Sequence, residues 1–182
     1  MAQSLKFFGM AGSLREQANS RIVLNALGEM LPELSQLHIG DIGQLPFYNL
    51  DVEHARLPAA VSEMRSQVEA SDAVLIVTPE YNHSIPGVLK NALDWLSRPA
   101  FKSSMTHKPV FFITLSESAM GGVRAQLQLR EILASMLCML PPLPEIAMAA
   151  ISNKIRDGKL ADEPTLKFTR QVLNTFLASA VK

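Results

Sequence analysis

Residues 9–20 read Gly-Met-Ala-Gly-Ser-Leu-Arg-Glu-Gln-Ala-Asn-Ser. Ser13, Asn19 and Ser20 offer hydroxyl and amide donors, and Arg15 offers a planar cationic fork that suits phosphate. The stretch follows a short apolar run, Leu5–Phe8, and precedes Ile22, Val23, Leu24, Ala26 and Leu27 at helical spacing. A strand that turns through glycine into a helix start presents free N–H groups to an anion, and glycine lets the backbone come close to it. An ordinary strand-to-helix turn with Asn19 as its N-cap would use the same residue types. The spacing excludes both G-x-x-x-x-G-K-[ST] and G-x-G-x-x-G. Serine, asparagine and a single arginine suit a terminal monophosphate better than a pyrophosphate.

Two further stretches hold groups of the right type. In Thr78-Pro-Glu-Tyr-Asn-His-Ser-Ile-Pro-Gly87, Tyr81 and the prolines can line the face of a ring. Asn82, His83 and Ser84, with their backbone N–H groups, can bond its edge. A turn-rich loop that satisfies its own backbone is the plainer alternative. Ser116-Glu-Ser-Ala-Met-Gly-Gly122 leads into a helix, where its backbone donors can stabilise negative charge on a ring nitrogen or carbonyl. A simple glycine-bearing connection accounts for it equally well. The four histidines have no ligand spacing and the single cysteine pairs with nothing, so no metal site and no internal disulfide are expected.

The elements that must position these loops alternate along the chain. Strands are expected at Leu5–Phe8, Leu34–Ile39, Ala73–Val77, Val110–Leu115 and, weakly, Glu145–Ala149. Helices are expected over Asn19–Met30, from Pro58, after Pro86, from Val123 to about Met139, and from Asp162-Glu-Pro to near the C-terminus. Residues 40–57 read as irregular. Strands that are apolar on both faces, alternating with helices, imply a parallel sheet covered on each side. One domain over residues 1–182 is expected: a doubly wound five-stranded parallel α/β sheet in the flavodoxin-like order 2-1-3-4-5. In that order ligands sit beyond the carboxyl ends of strands one, three and four, which is where the three loops lie.

Composition bounds the partners. The chain has 182 residues, 48% of them hydrophobic, with 17 Lys+Arg balanced by 17 Asp+Glu. A zero net charge gives no general attraction for nucleic acid or an anionic membrane, so any anion must be held by local groups. No apolar run approaches the roughly 18 residues of a membrane span, and the N-terminus does not read as a signal peptide. A cytoplasmic protein is expected.

Gly12-Ser-Leu-Arg15, Leu45-Pro-Phe-Tyr-Asn-Leu-Asp51, Pro79 to Trp95 and Gly121-Gly-Val-Arg124 together resemble the NADPH-dependent FMN reductases, the group of bacterial quinone, chromate and azo-dye reductases. The resemblance spans about Leu5 to Glu145. It implies bound FMN, NAD(P)H as reductant and a small-molecule electron acceptor. It implies Ser13 and Arg15 as phosphate binders, Pro79, Glu80, Tyr81, Asn82 and His83 as the loop against the isoalloxazine ring, and Ser116 at the start of the third flavin loop. The family often has serine and asparagine where this chain has Ala18 and Ser20. Either Asn19 and Ser20 take over those contacts or the loop shifts by one residue.

The rival reading is a one-electron FMN carrier of the flavodoxin type, against which the absence of an acidic surface speaks. The family also implies a homodimer or homotetramer. Trp95, Arg98, Arg124 and Glu145 read as exposed interface candidates, with Arg124 and Glu145 a possible cross-subunit pair. Cys138, among Met136, Leu137 and Met139, reads as a packed apolar residue.

Overall fold

A computed structural model describes residues 4–181. Five parallel strands, β1 (Lys6–Ala11), β2 (Gln36–Ile39), β3 (Ala73–Pro79), β4 (Val110–Leu115) and β5 (Ala147–Met148), form one sheet in the order β2-β1-β3-β4-β5. The expected doubly wound topology is the observed one. Helices α1 (Asn19–Met30), α2 (Leu50–Ala55), α3 (Ala59–Glu69), α4 (Gly87–Leu96), α5 (Val123–Ser135) and α6 (Glu163–Ala180) complete the fold with a small hairpin, β6 (Ile155–Arg156) and β7 (Lys159–Leu160).

The strand side chains alternate between two cores. Phe8, Met10, Val74, Ile76, Val110 and Phe112 pack with residues of α3, α4 and α5. Phe7, Ala11, Leu75, Val77, Phe111 and Ile113 pack with residues of α1 and α6 on the other face. Every one of these positions must be apolar, which is why the central strands read as continuous apolar runs.

Several boundaries differ from the sequence expectation. Gly9 lies inside β1, which runs on to Ala11, and is not part of the loop. β2 starts at Gln36 because Leu34 takes φ 72°, a left-handed conformation that no strand continues through. α5 stops at Ser135, and Leu137 at φ 59° turns the chain back. Residues 40–57 are not wholly irregular: they hold a 3-10 turn (Ile42–Gln44) and α2, whose N-cap Asn49 accepts a hydrogen bond from the Asp51 N–H at 2.8 Å. The last strand is only two residues long. Asp157-Gly158, with φ 49° and 72°, makes the β6–β7 turn that the sequence reading passed over.

Trp95 requires a correction. It is 0% exposed and cannot anchor an interface. Its indole N–H donates to the Pro46 carbonyl at 2.7 Å, and Asn91 Nδ2 donates to the same oxygen at 3.0 Å. Asn91 Oδ1 accepts the Tyr48 N–H at 2.7 Å. Tyr48 packs edge-on to Trp95, with ring centroids 4.9 Å apart, and lies under the Arg98 guanidinium. The Leu45–Asp51 and Asn91–Trp95 motifs are therefore two halves of one staple that fixes the β2–α3 connection on α4. Glu53 closes the group, accepting from Arg65 at 2.9 Å and from Tyr48 at 3.2 Å. Burial works to raise the Glu53 carboxyl, but these hydrogen bonds and the nearby guanidinium charge outweigh it and hold the group below the ordinary carboxylate range.

Cys138 packs against the α3–α5 core as expected, and burial pushes its thiol up to about 12. Within one chain Glu145 lies 3.8 Å from Arg130, and Arg124 lies 4.0 Å from Glu80.

Trp95→Ala should cost about 3–5 kcal/mol of stability, the range for deleting a buried aromatic. Urea denaturation measures this, and a loss under about 1 kcal/mol would mean the staple does not hold the connection. Trp95→Glu should unfold the chain rather than separate subunits.

Candidate functional site

The loops after β1, β3 and β4 meet at the carboxyl end of the sheet around a cleft of about 280 Å³. Ser13, Arg15, Asn19, Ser20, Pro79, Glu80, Tyr81 and Ser116 all line it, so eight of the ten residues expected from sequence converge. Asn82 and His83 lie at a turn tip, outside that lining.

Loop one reaches the cleft because residue 12 is glycine. A Cβ there would stand 2.2 Å from Thr78 Oγ1 on β3. α1 begins without a side-chain cap: its N-cap is Ala18, not Asn19, because Asn19 already has helical backbone and turns its amide to Glu117. The first N–H groups of α1 thus have no capping side chain. Beside them Ser20 Oγ is buried with no hydrogen-bond partner, in a side chain only 1% exposed. A buried hydroxyl costs free energy unless bonded. An uncapped helix start with an orphaned buried hydroxyl and Arg15 nearby suits a phosphate. The Ser20 hydroxyl is left without a protein partner, whereas Asn19 already spends one amide N–H on Glu117.

Loop two is docked on α5. Tyr81 and Ser84 exchange backbone hydrogen bonds at 2.9 and 3.0 Å around Asn82 (φ 48°) and His83 (φ 65°), a type I′ turn. Glu80 Oε2 accepts the N–H groups of Arg124 (3.0 Å) and Ala125 (3.1 Å) at the start of α5. Its side chain is thus committed to capping, so any contact from residue 80 to a ring falls to its backbone. Gln128, one turn further on, accepts from Ser84 Oγ and donates to the His83 carbonyl at 3.3 Å. Loop three turns at Gly121, φ 61°, where a Cβ would meet the Ala147 carbonyl at 2.5 Å. Glu117 on this loop also lines the cleft, as does Ile151.

Sequence reasoning missed Glu117, Ile151 and Gln128. A helical residue that bonds a loop 44 positions away leaves no local pattern. Glu117 sat inside a stretch read for its backbone donors. Among the described residues no cluster of histidine, cysteine and carboxylate side chains suits a metal ion.

A doubly wound α/β domain with a cleft where the loops after its first, third and fourth strands meet has the build of a flavodoxin-like nucleotide-binding protein. Comparison with known proteins agrees. The family model for NADPH-dependent FMN reductase matches residues 5–153. A quinone reductase of Pseudomonas putida is 38% identical, with 100% of this chain and 97% of the relative covered. A 2-hydroxy-1,4-benzoquinone reductase from a Burkholderia species is 35% identical over 96% of each. The solved flavoenzyme NAD(P)H:(acceptor) oxidoreductase FerB of Paracoccus denitrificans superposes with a TM-score of 0.86 at 33% identity, covering 96% of both chains. The chain belongs to the NADPH-dependent FMN reductase family. It is an FMN-dependent NAD(P)H oxidoreductase, not a one-electron carrier.

Ser20→Ala should leave the flavin-free chain at least as stable as wild type, since the orphaned hydroxyl is removed, yet weaken FMN binding by roughly 5- to 10-fold. Thermal melts and fluorescence titration read the two effects. Unchanged FMN affinity would take Ser20 out of the phosphate site.

Proposed function

We infer that the protein is a quinone reductase whose phosphate donors are Ser13, Arg15, Asn19, Ser20 and the first-turn N–H groups of α1. Pro79, Glu80, Tyr81, Asn82 and His83, together with Ser116, face the isoalloxazine. FMN, when bound, supplies the redox chemistry. The chain's own task is to bind and orient. Glu80 and Gln128 hold loop two rigidly against α5, so Tyr81 and the turn tip keep their place as reactants come and go.

The observation that supports a quinone acceptor is the set of apolar side chains the three loops expose. Leu14 is 60% exposed, Tyr81 48% and Met120 57%, one from each loop. Such side chains favour a flat, apolar reactant over a metal oxyanion. The relatives named as quinone reductases support the same acceptor. NAD(P)H and the quinone share this approach in turn, which gives ping-pong kinetics. No side chain at the cleft is needed as a general acid. Among the described residues no helix is long and apolar enough to cross a membrane.

With NADPH as donor, a benzoquinone should give parallel double-reciprocal lines and a kcat/KM about tenfold or more above that for an azo dye or chromate. Intersecting lines would rule out alternate occupancy, and an oxyanion preference would overturn the quinone assignment. His83→Asn should keep most of the turnover, and loss of several orders of magnitude with FMN still bound would identify a missed proton donor.

The homodimer expectation now rests on other residues than Trp95. Phe47 and Phe101 are exposed beside the Tyr48–Arg98 stack in sequence. Sedimentation should give two or four chains, shifting towards one in Phe47→Glu. A wild type that sediments as a monomer at micromolar concentration would remove the idea.

A further inference from the structure

We propose that Glu117 is a specificity-determining residue of the cleft. Its carboxylate opposes the FMN phosphate and sets how strongly the protein prefers FMN over uncharged flavin. This rests on the reading of the cleft as the FMN site.

Glu117 lines the cleft with Arg15, Asn19 and Ser20. It is anchored there by three contacts. Oε1 accepts from Asn19 Nδ2 at 3.1 Å and from Ser152 Oγ at 2.7 Å, and Oε2 accepts the Ser152 N–H at 3.3 Å. A carboxylate is therefore fixed at the start of α1, where the phosphate donors converge. It occupies the Asn19 amide, one of those donors.

Three charged side chains line the cleft: Arg15, Glu80 and Glu117. The Glu80 charge is taken up by two N–H groups of α5 and by Arg124. The three partners of Glu117 are all neutral, and among the described residues it has no ion-pair partner within 4 Å. Arg15 is thus the one cationic lining group that a phosphate and Glu117 would share. Like charges close together repel, and because Arg15 and Glu117 are both exposed, salt screens the repulsion. An uncharged flavin feels none of it. Asn19 spends one of its two amide N–H donors on Glu117, so it has one left to offer a phosphate.

The test is titration of the flavin-free full chain with FMN and with riboflavin, for wild type, Glu117→Gln and Glu117→Ala. Glu117→Gln keeps the side-chain length and an acceptor for Ser152. It should bind FMN roughly tenfold more tightly at low salt, with riboflavin affinity within about twofold of wild type. The gain should shrink at high salt. Glu117→Ala loses the Ser152 anchor as well, so both flavins weaken, yet the ratio of FMN to riboflavin affinity should still rise. An unchanged ratio in both variants overturns the proposal and leaves Glu117 a brace for the Ser152 turn. A lowered ratio would mean that Glu117 serves phosphate binding by orienting the Asn19 amide, and would overturn it too. Arg15→Ala separates the two ideas. If it lowers the ratio while the Glu117 variants leave it unchanged, the cleft stands as the FMN site and the Glu117 proposal falls. If Arg15→Ala leaves FMN binding intact, the reading of the cleft itself fails. Should riboflavin bind too weakly to titrate, the loss of the Glu117→Gln gain between low and high salt replaces the ratio, and a salt-independent result overturns the proposal.

Discussion

The parallel register of β1, β3 and β4 is the constraint on which the site depends. Ala11 lies opposite Val77, and Pro79 opposite Leu115, so the three strands finish at nearly the same level. Parallel pairing sends every crossover back to the opposite end, and the loops that leave these strands therefore start side by side. One cleft follows from that alignment. Slipping one strand by a residue would exchange its two faces between the cores and move its loop off the cleft together.

Two helix starts at the cleft are treated in opposite ways. α5 has its first N–H groups satisfied by Glu80, which binds two loops into one unit. α1 has no capping side chain and keeps a buried hydroxyl without a partner. A chain under no demand but stability would cap both, since each cap contributes about 0.5–2 kcal/mol. α3 and α4 also begin without a capping side chain, so what sets α1 apart is the partnerless Ser20 hydroxyl beside its start.

Much of this was legible in the sequence because it is periodic or local. The central strands show as apolar runs, since both faces are buried, and the loop residues show as glycine, serine and asparagine between them. The strand order and the convergence of Ser13, Arg15, Asn19, Ser20, Tyr81 and Ser116 follow from those patterns. What escaped depends on contacts between distant residues. Trp95 looked like a half-exposed helix end because nothing local shows that Pro46 arrives to accept its indole proton. Gln128 carries no local signal because the turn it holds lies far away in sequence. α2 and the β6–β7 hairpin left local marks, an asparagine cap and an Asp-Gly pair, but both segments are too short for periodicity to support them.

The partial burial of Cys138 has a consequence for an enzyme that passes electrons to small acceptors. Quinones add covalently to thiolates, and the thiolate rather than the thiol is the reactive form. The only sulfhydryl of the chain is partly buried against the α3–α5 core, and burial raises its pKa to about 12. At neutral pH burial keeps it in the thiol form. A thiol so placed is a poor nucleophile, which closes one route by which an electrophilic acceptor could modify the chain.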